Sequence, residues 1–238
     1  MPPPPEIAAR GFILHDLGSQ QTLAVRQPDQ AVPPASLTKL MTAYLVYQAV
    51  DAGQLRLEDT LPVSERAWQA AIGSGARALA AAGARLTVAE LLQGMAVLGA
   101  NDAAVALAEG VAGSVDDFVA RMTRQAQVFG LKATQFRNPD GRAVSGQAST
   151  PRELAWIAVR LLTDFPQALT HYRQPALTLG GVRHASTNLL LLRDPSVDGL
   201  QVAYADRLGY AMAATSRRPV GGSERRLVAL VVGTPSAQ

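Results

Sequence analysis

The chain has 238 residues, of which 48% are hydrophobic and 17% charged, a composition typical of a globular protein with a sizeable core. It contains no cysteine, which excludes disulfides, thiolate metal sites and cysteine nucleophiles. The net charge of +3 is modest and the basic residues lack interleaved aromatic side chains, so we expect no nucleic-acid partner.

Other classes are excluded in the same way. No uncharged apolar run is long enough to cross a bilayer, so we expect no transmembrane segment. The three histidines, His15, His171 and His184, lack the spacing of metal ligands, and we expect neither a metal nor a cofactor. The chain does not open with a signal-peptide pattern, which leaves either a cytoplasmic protein or an exported one whose signal has been removed.

The N-terminal part predicts a hairpin followed by a helix. Residues 11–16 and 22–26 are β-rich runs on either side of a turn at Gly18. A proline-bearing loop follows, and a helix then begins near Ser36. Its apolar residues recur at helical spacing: Leu37, Leu40, Met41, Tyr44 and Leu45.

The middle of the chain predicts helices with recognisable starts. Thr87 and Glu90 form a capping box, and Ser114 with Asp117 resembles a second start, of a helix that stops at Gly130. A third start has Pro151 at its first helical position and Glu153 reaching back to Thr150. Between the second and third helices, residues 138–141 predict a turn. Before the first of these helices, the alanine- and glycine-rich residues 70–83 are expected to form a mobile loop.

The C-terminal part returns to strands, predicted at residues 176–182, 208–215 and 227–232. Strands at both ends around a helical middle indicate an α+β fold in which one sheet is built from both termini and a helical subdomain is inserted.

Ser36 and Lys39 are candidates for a nucleophile and its base. Their spacing puts both side chains on one helical face, and a serine hydroxyl needs a neighbouring base before it can attack a carbonyl group. Such a match also arises by chance, and serine commonly caps helices. Lys39 and Lys132 are the only lysines in an otherwise arginine-based chain, which favours a proton-transfer role because arginine does not deprotonate.

The sequence around this pair resembles the first motif of the low-molecular-mass penicillin-binding proteins, the D-alanyl-D-alanine carboxypeptidases. The resemblance runs from about residue 6 to 234. It is carried by residues 32–44, 101–109, 130–141, 149–155, 197–200 and 208–210.

The resemblance implies the fold shared with serine β-lactamases: an antiparallel sheet with flanking helices and an all-helical subdomain. We therefore expect residues 6–238 to form a single catalytic domain with the subdomain at about 64–165. The family's C-terminal β-domain and membrane anchor are not expected in this chain. The resemblance also implies a periplasmic or otherwise exported protein.

The resemblance further implies the chemistry. Ser36 would form an acyl-enzyme with peptidoglycan stem peptides or β-lactams, and Lys39 would be its general base. Asn101 would hold Lys39 and the substrate amide. The backbone N–H groups of Ser36 and Tyr204 would form the oxyanion hole.

Two of the family's motifs are altered. The second motif, Ser-x-Asn, begins here with Gly99, so the hydroxyl that relays a proton to the leaving amine is missing. The third motif, Lys-Thr-Gly, reads Gln201-Val202-Ala203, which removes the cation and hydroxyl that would meet the substrate carboxylate. Arg207 is a possible substitute cation, or an ordinary solvated arginine. Residues 70–83 also replace a glycine-serine-arginine loop at the rim of the site.

Two functions remain open from these residues. The first is a serine D-alanyl-D-alanine carboxypeptidase with impaired turnover, favoured by the retained Ser36, Lys39 and Asn101. The second is a catalytically degraded relative that binds peptidoglycan or a cell-wall partner, favoured by Gly99 and the altered third motif.

Overall fold

A computed structural model describes residues 6–74, 78–206 and 208–236. Arg207, the candidate substitute cation, lies outside the described residues, as do residues 75–77 of the expected rim loop. The strands are β1 Gly11–Asp16, β2 Gln21–Arg26, β3 Thr60–Pro62, β4 Arg85–Thr87, β5 Ala176–Leu179, β6 Val182–Ala185, β7 Val197–Gly199, β8 Val202–Ala205, β9 Gly209–Val220 and β10 Ser223–Thr234. The α-helices are α1 Lys39–Asp51, α2 Glu65–Ile72, α3 Val88–Leu98, α4 Asn101–Ala112, α5 Val115–Val128, α6 Pro151–Asp164, α7 Leu169–Tyr172 and α8 Leu190–Arg193.

The main sheet joins the two ends of the chain. Its strand order is β2-β1-β10-β9-β7, all antiparallel, and β8 also pairs with β9, next to its start. The pairing of β1 with β10 runs from Gly11 opposite Val232 to Asp16 opposite Leu227. The predicted N-terminal hairpin and the α+β fold built from both termini are confirmed.

Helix α1 is the central helix of the molecule. Ten of its thirteen residues are buried, on every side of the helix, as expected for a helix enclosed by other elements rather than laid on a surface. It packs against α4, α5 and α6. Because the helix starts inside the protein, its first residue, Lys39, is carried into the interior.

The predicted helix starts are confirmed, with one change of detail. Thr87 and Glu90 form the complete capping box of α3, and the side chains of Ser114 and Thr150 accept the backbone N–H three residues on. Glu153 does not reach back to Thr150. Its carboxylate instead accepts hydrogen bonds from Ala133 N and the Thr134 hydroxyl.

Two sequence expectations were wrong. Residues 70–72 are not in a loop but end helix α2, which Ser64 caps and in which Ala70 and Ala71 are buried, as alanine's helix propensity permits. The strand expected over 176–182 is two strands, β5 and β6, separated by Gly180 and Gly181, which both have positive φ. These strands form a separate hairpin that packs on α3.

Among the residues that the structure describes, no helix has both the length and the apolar character needed to cross a membrane.

Candidate active site

Ser36 lies in a 3₁₀ helix, Ala35–Thr38, that leads directly into α1. A 3₁₀ helix has three residues per turn, so residues three apart lie directly above one another and Ser36 faces Lys39. Ala35 has a φ of 46°, a left-handed conformation that costs a non-glycine residue about 1 kcal/mol. This strained residue sets the direction in which the chain enters the turn carrying the candidate nucleophile.

Lys39 is fully buried and makes three polar contacts. Its Nζ lies 3.2 Å from Ser36 Oγ, 2.7 Å from Asn101 Oδ1 and 2.6 Å from the Asp140 carbonyl oxygen. Burial lowers the pKa of Lys39 to about 8, an effect that the nearby Arg142 reinforces and the Asp140 and Asp102 carboxylates oppose. A lysine in this state supplies a neutral amine near physiological pH.

The three contacts suit a general base. Asn101 Oδ1 and the Asp140 carbonyl can only accept hydrogen bonds, so each takes one of the two protons of a neutral amine. The remaining lone pair of Nζ is then left for Ser36 Oγ, the one partner that has a proton to give. The geometry therefore orients the base as well as lowering its pKa.

Asn101 is held in one orientation. Its Nδ2 donates to Ser74 Oγ at 2.9 Å and approaches the Ala70 carbonyl at 3.4 Å, while the Ser74 hydroxyl donates to the Ala71 carbonyl. A flipped amide would set Nδ2 against the Lys39 amine and Oδ1 against a carbonyl. Both amide hydrogens therefore point to α2 and Ser74.

The predicted turn at residues 138–141 is part of the site. Besides the contact from Asp140 to Lys39, the Pro139 carbonyl accepts the Thr42 hydroxyl at 2.6 Å. Gly141 has a φ of 85°, and a Cβ there would lie 1.8 Å from the Ala35 carbonyl oxygen. The turn can thus press against the residue before Ser36 only with glycine at 141. Sequence reasoning assigned no role to these residues, because a backbone carbonyl has no side-chain signature.

Gly99 and Gln201, from the two altered motifs, lie next to each other. Gly99 ends α3 in a left-handed conformation, and a Cβ at this position would lie 3.7 Å from Gln201 Nε2. Gln201 is fully buried; its Nε2 donates to the Val202 carbonyl, and its Oε1 has no hydrogen-bond partner among the described residues. A neutral amide therefore occupies the place where the family pattern has a lysine.

The remaining predicted residues lie on strand β8, which packs against the 3₁₀ helix of Ser36. Ala203 is buried, Val202 is partly buried, and Tyr204 is 55% exposed and pairs with Tyr210 across the sheet. The structure thus brings the strand of Tyr204 and the turn of Ser36 together.

Asp102, which sequence reasoning missed, holds the rim of the site. Its buried carboxylate accepts the backbone N–H groups of Leu79 and Ala80, beyond the rim residues that are not described. Burial raises the pKa of Asp102, and these backbone donors oppose the shift. The residue next to Asn101 therefore ties the rim segment to the start of α4.

The chain is similar to known proteins over nearly its whole length. A family model described as D-alanyl-D-alanine carboxypeptidase, peptidase family S11, matches residues 1–236. The chain therefore belongs to the D-alanyl-D-alanine carboxypeptidase family of low-molecular-mass penicillin-binding proteins.

Individual relatives cover nearly the whole chain. The D-alanyl-D-alanine carboxypeptidase DacA of Haemophilus influenzae is 33% identical over 234 residues, and that of Escherichia coli K12 is 34% identical over 238. Each match covers 98% of this chain but only 59% and 58% of the relative, so the chain spans somewhat more than half the length of these proteins.

Solved structures confirm the fold. Penicillin-binding protein 5 from Haemophilus influenzae superposes with a TM-score of 0.92 at 32% identity, covering 99% of this chain and 68% of that one. Penicillin-binding protein 6B from Escherichia coli gives 0.90 at 34%, covering 99% and 74%. Penicillin-binding protein D2 from Listeria monocytogenes, solved in an ampicillin-bound form, gives 0.82 at 28%, covering 99% and 93%. The expected β-lactamase-like α+β fold is confirmed.

Proposed function

We propose that this protein is a serine D-alanyl-D-alanine carboxypeptidase that acts on peptidoglycan stem peptides through an acyl-Ser36 intermediate, with reduced turnover. The contact that carries the proposal is the buried Lys39 amine, 3.2 Å from Ser36 Oγ and held by two acceptor-only oxygens. Exported residence, in the periplasm or outside the cell, follows from this substrate. The proposal also treats residues 6–238 as one catalytic domain with a helical subdomain at about 64–165.

In the proposed acylation, Ser36 Oγ attacks the carbonyl carbon of the penultimate D-alanine as its proton passes to Lys39 Nζ. The oxyanion is stabilised by the backbone N–H groups of Ser36 and Tyr204. The C–N bond then breaks, the terminal D-alanine leaves with a proton on its amine, and water later hydrolyses the ester. A β-lactam would acylate Ser36 in the same way, with its ring amide as the bond that breaks.

Reduced turnover is proposed from the residues beside this pair. With Gly99 in the second motif, Lys39 must return its proton to the leaving amine directly or through water, and loss of a proton-transfer group typically costs about 10²–10⁴ in rate. Gln201 and Val202 offer the substrate carboxylate no charge, and each lost charge-assisted hydrogen bond costs roughly 1.5–3 kcal/mol.

A second function, that of a non-catalytic relative binding peptidoglycan or a cell-wall partner, is favoured by one observation. The buried Gln201 Oε1 has no partner among the described residues, which suits a site whose catalytic polar network is no longer complete.

Labelling with a fluorescent penicillin, followed by intact-mass analysis, separates the two functions. An adduct in the wild-type protein that is absent from Ser36→Ala supports the enzyme. Absence of an adduct at high β-lactam concentration overturns it in favour of the binding protein. Release of D-alanine from an acyl-D-Ala-D-Ala peptide then measures turnover.

A repaired variant tests the reason for reduced turnover. Gly99→Ser with Gln201→Lys, Val202→Thr and Ala203→Gly restores the family pattern and is expected to accelerate acylation at least tenfold. The serine at 99 has room for its Cβ but adopts a φ of 67°, at a cost of about 1 kcal/mol. A folded variant that acylates no faster would contradict the explanation.

A further inference from the structure

A cavity of about 370 Å³ opens beside the second motif, within the size range of small-molecule sites. Its walls come from three places: the rim segment, the end of α3, and the β5–β6 hairpin. The apolar walls are Leu79, Leu98 and Leu179 together with alanines, and the charged or titratable lining residues are Arg183 and His184. No carboxylate is among the lining residues that the structure describes, so the polar chemistry of the cavity favours an anion.

Arg183 is the arginine among the described lining residues of this cavity. It lies on β6 opposite Thr178 and is exposed. Arg183 forms no ion pair with any described residue, in contrast to Arg142 and Arg226, which are paired with Asp140 and Asp198. Other arginines, such as Arg121 and Arg193, are also unpaired among the described residues, but they do not line this cavity. An unpaired guanidinium at the edge of an apolar cavity is suited to bidentate contact with a carboxylate.

The cavity adjoins the candidate catalytic residues. Gly99 and Ala100 line it, and Asn101, which follows them directly, contacts Lys39. A Cβ on Gly99 would also lie 3.7 Å from the neutral amide of Gln201. Asp102, the nearest buried acid to the rim wall, is occupied by the N–H groups of Leu79 and Ala80. Positive charge is thus absent at position 201 but present in the cavity that Gly99 lines, on strand β6.

We propose that this cavity is a subsite for a ligand carboxylate on a short apolar stem, bound by the guanidinium of Arg183. The proposal rests on the proposed function for the rest of the ligand, an acyl-D-alanyl-D-alanine peptide. Two carboxylates of such a ligand share this chemistry: the one at its C-terminus and one carried on its acyl part.

Four matched ligands distinguish these sources: N-succinyl- and N-butyryl-D-Ala-D-Ala, and the C-terminal amide of each. Dissociation constants are measured by NMR titration of the Ser36→Ala protein, in which no acyl-enzyme forms. The same titrations are repeated with Arg183→Gln added. Arg193→Gln serves as the matched control, because Arg193 is also exposed, lies on α8 and is not a lining residue of the cavity.

Arg183→Gln is expected to weaken, about five- to tenfold, the ligands that carry the carboxylate bound in the cavity, and to leave the uncharged N-butyryl amide unchanged, an effect limited by solvent screening. If the succinyl ligands respond, the acyl carboxylate occupies the cavity; if the free acids respond relative to the amides, the C-terminal carboxylate does. Equal effects on all four ligands, or the same effect from Arg193→Gln, would overturn the subsite.

The two proposals fail separately. Penicillin labelling of Ser36 without any Arg183-dependent binding overturns the subsite and leaves the carboxypeptidase. Arg183-dependent binding without labelling overturns the carboxypeptidase and leaves the subsite. If none of the four ligands binds at millimolar concentration, the subsite is overturned.

Discussion

Raising the pH from 7 to 9 is expected to accelerate acylation of Ser36 about tenfold and then to bring it to a plateau. The neutral form of Lys39 is the active base, and burial lowers the pKa of this residue to about 8. The neutral amine therefore accounts for roughly a tenth of the molecules at pH 7, half at pH 8 and nine tenths at pH 9. A lysine at the ordinary value would instead give about a hundredfold rise over this range, still climbing at its end.

The measurement is the second-order rate constant for labelling by a fluorescent penicillin between pH 6 and 10 at constant ionic strength. Lys39→Arg is expected to reduce labelling by about 10³ or more, because a guanidinium cannot accept the serine proton. Lys132→Arg, which changes the other lysine, an exposed one, should keep the wild-type profile. A rate that is independent of pH, or that rises tenfold per unit up to pH 10, would refute the assignment of Lys39 as a base tuned by burial.

Three further substitutions probe the surroundings of Lys39. Arg142→Gln removes a cation that helps to lower the pKa of Lys39 and leaves Asp140 without its ion-pair partner. The pH profile of penicillin labelling should therefore move to higher pH, with a rate at pH 7 about two- to fivefold lower. An unchanged midpoint of this profile would contradict the prediction. Gly141→Ala forces a Cβ against the Ala35 carbonyl and should lower the free energy of unfolding, measured by thermal denaturation, by about 3 kcal/mol or more. The control Gly113→Ala, at a similar φ but in open space, should lower it by only about 1 kcal/mol. Equal losses of stability would show that the close approach of Gly141 to Ala35 is unimportant. Asp102→Asn weakens the hydrogen bonds that the carboxylate accepts from the backbone N–H groups of Leu79 and Ala80. It should lower the free energy of unfolding by about 1–3 kcal/mol and speed hydrogen exchange at both amides. Unchanged exchange would argue against the role of Asp102 in holding the rim segment.

The elements that sequence reasoning predicted are those with local signals. The capping box at Thr87, the proline at Pro151 and the turn at Gly18 between two β-rich runs each lie within a few residues of the structure they specify. The prediction of a single strand over 176–182 was wrong because Gly180 and Gly181 permit a turn inside a β-rich run. The loop predicted for residues 70–72 was wrong because the prediction relied on the alanine- and glycine-rich composition of 70–83, whereas Ser64 caps a helix that extends to Ile72.

The same distinction between local and long-range signals applies to the residues of the candidate site. The pair of Ser36 and Lys39 is three residues apart and could be predicted from spacing. The contact of Lys39 with the Asp140 carbonyl joins residues 101 apart in sequence, and that with Asn101 joins residues 62 apart. The asparagine was found through the family resemblance, whereas the carbonyl and the Ser74 hydroxyl depend on tertiary structure and leave no pattern in the chain.

The use of lysine at just two positions makes the base directly observable. Protein labelled with ¹⁵N-lysine has two side-chain nitrogens to report, one on exposed Lys132 and one on buried Lys39. We expect the two to be distinguishable without mutagenesis, because the hydrogen bonds from the Lys39 amine to the carbonyl oxygens of Asn101 and Asp140 should slow its proton exchange with water. Following that single resonance through a titration and upon addition of a β-lactam would record the protonation state of the amine in the resting and acylated protein.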